Sequence, residues 1–162
     1  MNKEEIANVC TFTGRRPEKL KADQDKVKEW LKEQIQKSVE EGYTDFITGM
    51  ARGVELWAAE EVLRLKKEGA KLRHIAAVPF KNVDRDWDKD WKERFKYVLE
   101  NSDEVHYVSA VARRKAFIDR NIWMVDRAAK LIAVFTGALG GTKQTLDYAK
   151  KLKRKIVKFE NS

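Results

Sequence analysis

Cysteine, histidine and proline are nearly missing from this chain: 162 residues hold one Cys, two His and two Pro. A lone Cys10 excludes an intrachain disulfide framework and suits a reducing cytoplasm, the expected compartment. His74 and His106 stand far apart with no Cys or His at ligand spacing, so no metal site is expected and both read as ordinary strand-end histidines. With only eight glycines, no Ser/Gly-rich tract and no internal repeat, no linker stands out. One domain over residues 1–162 is the simplest organisation. Long apolar runs are absent too. Every strong apolar stretch meets a charge within about eight positions, well short of the ~18 residues of a membrane span. The first residues, Met1-Asn2-Lys3-Glu4-Glu5, have no apolar signal-peptide core.

What is present is charge. Lys plus Arg number 34 against 26 Asp plus Glu, a formal +8, while 43% hydrophobic content argues against disorder. A basic balance invites nucleic acid or phosphate as partner, yet six of the eight excess charges fall between Lys143 and Lys158. In a parallel sheet that segment ends opposite the strand-tip pocket, so bulk charge says little about a cleft.

Apolar clusters alternate with helical patterns along the chain. Strands are expected at Ile6 to Thr13, Asp45 to Thr48, His74 to Val78, Glu104 to Val108, Leu131 to Phe135 and Lys155 to Phe159. Between them, three- and four-residue apolar spacing predicts helices at Asp23–Glu40, from Gly53 through Leu65, around Trp87–Leu99, from Phe117 to Ala129, and at Lys143–Leu152. Such alternation predicts an α/β Rossmann-like three-layer sandwich, a mainly parallel sheet of five to six strands with helices on both faces.

In open α/β sheets ligands gather beyond the carboxyl ends of the strands, where helix N-termini present unpaired N–H groups. Three glycine-bearing turns occupy such places: Thr13 to Pro17, Thr48 to Gly53 and Thr136 to Thr142. Glycine lets backbone approach an oxyanion, and arginine pairs with phosphate bidentately. The candidate ligand-binding residues are therefore Gly14, Arg15, Arg16, Gly49, Arg52, Gly53, Gly140, Gly141 and Thr142. Neither the Gly-x-Gly-x-x-Gly fingerprint nor the P-loop spacing is present, which disfavours a dehydrogenase or P-loop NTPase.

Cys10 to Leu20 (CTFTGRRPEKL) resembles the opening FTGHRPxKL pattern of the YpsA/YoqJ-like proteins, a bacterial and prophage group within the SLOG superfamily. Gly49 to Glu60 (GMARGVELWAAE) is similar to that group's most distinctive segment. Pro79-Phe80 with Trp87, Arg120-Asn121 and Gly140-Gly141-Thr142 fit as well, so the resemblance spans about residues 8 to 158. It implies a Rossmann-like fold with a pocket for a nucleotide or nucleotide-derived ligand such as ADP-ribose or an NAD-like molecule, and adds Arg120 to the site. Relatives include LOG phosphoribohydrolases, which cleave the N-glycosidic bond of cytokinin nucleotides, and DprA, which loads recombinase onto single-stranded DNA.

Three departures matter. The glutamate of the LOG motif Pro-Gly-Gly-x-Gly-Thr-x-x-Glu is Thr145 here, which cannot serve as the carboxylate of glycosidic cleavage. Glu60 and Glu55 are the candidate catalytic substitutes. The first-loop His of the group is Arg15, and the polar residue expected between Pro79-Phe80 and Trp87 is Val83.

The remaining features have plainer readings. Asp84, Asp86, Asp88 and Asp90 suggest a calcium loop, but Lys89 and Phe95 stand where its glycine and bidentate glutamate belong, so helix N-terminal carboxylates explain them better. Trp30, Trp57 and Trp91 fall on apolar helical faces, while Trp87 and Trp123 could contact a base or a partner subunit. Arg113-Arg114-Lys115 reads as a solvated turn or a phosphate-reaching lid. The expectation is a phosphate-bearing small molecule as partner, with nucleic acid less favoured, no membrane, and pairing with a second copy left open.

Overall fold

A computed structural model describes residues 2–137 and 139–160. Ala138, inside the third glycine turn, lies outside the described residues. Six strands form one sheet: β1 (Val9–Gly14), β2 (Asp45–Thr48), β3 (Arg73–Val78), β4 (Glu104–Tyr107), β5 (Lys130–Val134) and β6 (Lys155–Phe159). Every pairing is parallel and the order is β4-β3-β2-β1-β5-β6. The Rossmann-like three-layer fold expected from the sequence is what is observed.

The helices are α1 (Lys3–Ile6), α2 (Gln24–Glu40), α3 (Val54–Lys67), α4 (Lys89–Asn101), α5 (Lys115–Asp126) and α6 (Gly141–Lys151). From β1 to β4 the chain steps in one direction, so α2, α3 and α4 share one face. There Val27, Leu31 and Ile35 of α2 join Phe12 and Phe46 of the sheet and Val54, Ala58 and Val62 of α3 in one core cluster. Burying each of the larger aliphatic side chains contributes roughly 1.5–3 kcal/mol. The chain then returns to β5 beside β1, which places α5 and α6 on the other face against Ile47, Ile75, Leu131 and Ala133.

Two expectations need correction. Ile6 does not open β1. Asn2 caps α1 by accepting the Glu5 N–H at 3.0 Å, and this one-turn helix buries Ile6 before the strand begins at Val9. The apolar face that Phe117, Ile118, Ile122, Val125 and Ala129 are expected to give α5 is also turned, although Val125 stays buried. Ala116, Arg120 and Met124 are buried, whereas Phe117, Ile118 and Ile122 are 41%, 42% and 37% exposed. At about 100° per residue, Ile118 and Ile122 lie on roughly the opposite side of α5 from Arg120.

The other singled-out residues have structural partners. Asp88 caps α4, accepting the Trp91 N–H at 3.0 Å. Cys10 is fully buried, and burial pushes its thiol up to about 12. Trp91 tilts against Trp57 at 6.5 Å and lies under Arg94 at 4.2 Å. Trp123 packs on His106 at 4.9 Å and under Arg127 at 4.1 Å. No helix among the described residues is long and apolar enough to cross a membrane.

Candidate functional site

The strand order reverses at β1, between β2 on one side and β5 on the other. Beyond the carboxyl ends of these strands lies a pocket of about 630 Å³. A topological switch point of this kind is where α/β sheets open a crevice. The β1 end contributes Thr13, Gly14, Arg15, Arg16 and Lys19, the β2 turn Ala51 and Arg52, and the first turn of α3 Glu55. Val83 and Trp87 come from the segment after β3. From the opposite face come Arg114, Phe117, Arg120 and Asn121, and the start of α6 adds Gly141 and Thr142.

The β1 and β2 turns lock together. Gly53 precedes α3 with φ of 90°, and a Cβ there would stand 3.0 Å from Pro17 Cδ and 3.1 Å from the Arg15 carbonyl. Both strain and crowding thus require glycine. Gly49 is enclosed more tightly. Its N–H donates to Glu55 Oε1 at 2.6 Å, and its carbonyl accepts a short bond from Arg120 Nη1. A Cβ at Gly49 would meet both side chains. Arg120, 6% exposed, also donates from Nε to Asn121 Oδ1 at 2.9 Å, so a residue of α5 reaches past the sheet to hold the β2 turn.

This clamp decides the two candidate carboxylates. Glu55 is 4% exposed; burial pushes its carboxyl up, while Arg120 and the Gly49 N–H pull it down. It is the one carboxylate among the described residues lining the pocket. Glu60 lies elsewhere. Five residues on, roughly 140° around α3, it accepts from Arg94 Nη2 at 2.6 Å and Nε at 2.9 Å. The structure does not bring Glu60 to the turns. Thr145 likewise turns inward, donating to the Gly141 carbonyl at 2.8 Å.

The cations face the pocket from several elements. Arg15 donates to the Leu139 carbonyl, joining the β1 turn to the one after β5. Arg52 grips Glu18 with a fork, Nη2 to Oε1 at 2.7 Å and Nη1 to Oε2 at 3.3 Å, and lies 5.8 Å from the Trp87 ring. Its Nε is buried with no hydrogen-bond partner among the described residues. Arg16 stands 3.8 Å from the same Glu18; burial pushes that carboxyl up, but the Glu18 backbone N–H, then Arg52 and Arg16, hold it below its usual range. At the N-terminus of α6, Gly140 (φ 139°) supplies no side-chain cap and the first turn carries no acidic residue. Its N–H groups therefore face the pocket side without a competing carboxylate of their own.

Of the sequence candidates, Gly14, Arg15, Arg16, Arg52, Arg120, Gly141 and Thr142 line this one pocket, while Gly49, Gly53 and Gly140 shape the turns around it. Phe117, Asn121, Lys19 and Arg114 also line it. Of these, Arg114 belongs to the basic cluster visible in the sequence, whereas helical spacing alone puts Phe117 on a core face. Its exposed ring packs edge-on to Phe80 at 5.5 Å. No group of three or more His, Cys, Asp or Glu among the described residues could hold a metal ion.

Residues 10–159 match the family model described as the YspA SLOG family. The chain belongs to this family. Among its relatives, the SPbeta prophage-derived protein YoqJ of Bacillus subtilis is 34% identical over 118 residues, 65% of this chain and 69% of YoqJ. A UPF0398 protein of Bacillus thuringiensis is 27% identical over 140 residues, 83% of this chain and 74% of that protein. Among solved structures, DNA processing protein A of Streptococcus pneumoniae superposes with a TM-score of 0.69 at 16% identity over 94% of this chain. The Helicobacter pylori counterpart, which binds single-stranded DNA, gives 0.69 at 14% identity over 95%. This chain spans 50% and 66% of those two proteins, and at such identities the likeness is one of fold.

Proposed function

We propose that this SLOG-family chain binds a nucleotide or nucleotide-derived ligand at the β1–β5 switch point. The observation that carries the reading is the convergence of Arg15, Arg16, Arg52 and Arg120 with two glycine turns and the α6 N-terminus in one pocket of about 630 Å³. Phosphate oxygens would take the guanidinium donors and backbone N–H groups, and Trp87 and Phe117 offer aromatic surface to a base. Because Glu18 already occupies the Arg52 fork, a phosphate there shares or displaces that carboxylate.

Isothermal titration with nucleoside mono- and diphosphates, ADP-ribose and NAD tests the reading. At least one should bind, and Arg52→Ala should weaken it about 10- to 100-fold, the equivalent of a charge-assisted bond of roughly 1.5–3 kcal/mol. Silence from all of them at concentrations able to detect ~100 μM affinity would overturn the reading.

Two alternatives stand behind it. Cleavage of an N-glycosidic bond would fall to Glu55 alone, and its carboxylate is already engaged by the Gly49 N–H. Single-stranded DNA binding is favoured by a second cavity sharing Trp87 and lined by Tyr107 and by Lys81, Lys89, Lys92 and Lys96, against Asp84 and Glu93. That reading requires affinity that climbs steeply as salt is lowered.

A further inference from the structure

The turned face of α5 leaves Ile118 and Ile122 beside a smaller cavity of about 250 Å³ between α5 and α6, closed by Asn121, Gln144, Thr145 and Tyr148. Asn121 lines both this cavity and the arginine pocket, so the two adjoin. The Asn121 Oδ1 is taken by Arg120, which leaves its Nδ2 donors for another acceptor; that nitrogen lies 3.7 Å from where a Cβ on Gly141 would stand. The Tyr148 hydroxyl donates to Asp126 Oδ1 at 2.5 Å, so its ring is anchored as part of the wall. Aliphatic side chains, one tyrosine ring and amide groups that match donor–acceptor edges suit a planar heterocycle.

Resting on the nucleotide reading above, we propose that this α5–α6 cavity is a subsite for one of two planar heads of a dinucleoside pyrophosphate. Trp87 follows β3, Arg52 follows β2, Arg15 and Arg16 follow β1, and α6 follows β5, so they lie in that order along the carboxyl edge of the sheet. From β3 to β5 is three strand spacings, about 14 Å at ~4.8 Å each. With its phosphates on the central arginines, a ligand carrying one base sets it on Trp87, which lines the arginine pocket itself, and leaves the α5–α6 cavity open. Two nucleosides joined by a pyrophosphate reach both. The second head then binds as part of an already tethered ligand, which raises affinity without any change at the arginines.

Titrating the full chain with ADP and with two adenosines joined 5′ to 5′ by a pyrophosphate tests this. The two-headed ligand should bind at least about tenfold more tightly to the unaltered chain. In the double variant Ile118→Ser, Ile122→Ser, that advantage should disappear while ADP affinity stays within about twofold. Both side chains are more than a third exposed and the replacement is uncharged, so fold and pocket charge are kept. Equal affinity for the two ligands, or an equal loss for both in the variant, would overturn the subsite and leave the nucleotide reading intact. Failure of both ligands to bind the unaltered chain would overturn the subsite, and failure across the wider nucleotide panel would remove the nucleotide reading as well.

Discussion

Arg120→Met is expected to destabilise the fold by about 3 kcal/mol, the effect of stripping buried acceptors of a charged donor. Arg120 is 6% exposed and holds the Gly49 carbonyl, the Asn121 amide oxygen and, across the Gly49 peptide, the charge of Glu55. Methionine fills similar volume but leaves a buried carboxylate without a countercharge and a buried carbonyl without its donor. Against total stabilities of roughly 5–15 kcal/mol this is a large fraction. Urea unfolding should show a lower midpoint with an unchanged slope. Because burial raises the Glu55 carboxyl, its ionisation opposes folding; that cost is absent below the ordinary carboxylate value and grows as pH rises through the folded-state value. The deficit of Arg120→Met should therefore be smaller near pH 4 than at pH 7. Adding Glu55→Gln should recover part of it, since the amide oxygen still accepts from Gly49 while the orphaned charge is gone. A deficit under about 1 kcal/mol, unchanged with pH, would contradict the clamp.

The second large effect belongs to His74, an ordinary strand-end histidine by sequence. It is fully buried; Nε2 pairs with Thr48 Oγ1 and Nδ1 with Ser102 Oγ, both at 2.9 Å. Its own N–H donates to Asp103 at 2.7 Å, and Asp103 is bound by Lys66 at 2.5 Å. Burial pushes the imidazole down to about 3, with Asp103 opposing and Lys66 assisting. A depressed value means that the unfolded chain takes up a proton which the folded chain refuses. The contribution of His74 is thus whole above about pH 6.5 and is lost as pH falls from there toward 3. One group can give a slope of up to about 1.4 kcal/mol per pH unit, on the order of 4 kcal/mol over the window. His74→Gln should be less stable at pH 7, and the gap should narrow or reverse by pH 4. Acid-sensitive carboxylates such as Asp103 and Glu104 remain in both chains, so the difference between their urea profiles isolates the imidazole. Parallel profiles would contradict its neutrality in the fold.

Much of this architecture was legible in the sequence for a physical reason. Strands covered on both faces must be apolar throughout, so Asp45–Thr48 and the Leu131–Val134 run stand out from charged, periodic helices. Glycines after β1, β2 and β5, with Arg15 and Arg16 in the first turn and Arg52 in the second, marked the turns that line the pocket. Strand order was not legible, because parallel connections leave no local mark of which neighbour a strand joins. Nor was the orientation of α5. Its sequence carries apolar residues around most of the helix, and the deciding contact is Arg120 reaching Gly49, 71 positions away. Glu55 and Glu60 look alike on one helix, and only their partners part them: Glu55 accepts the Gly49 N–H while Glu60 pairs with Arg94.

Co-crystallisation with the nucleotide that binds most tightly in solution is the most direct measurement. The account predicts density for its phosphates between Arg15, Arg52 and the first turn of α6, with the Glu18–Arg52 fork shared or opened. Phosphates found instead on the lysines of α4, with the switch-point pocket empty, would contradict it.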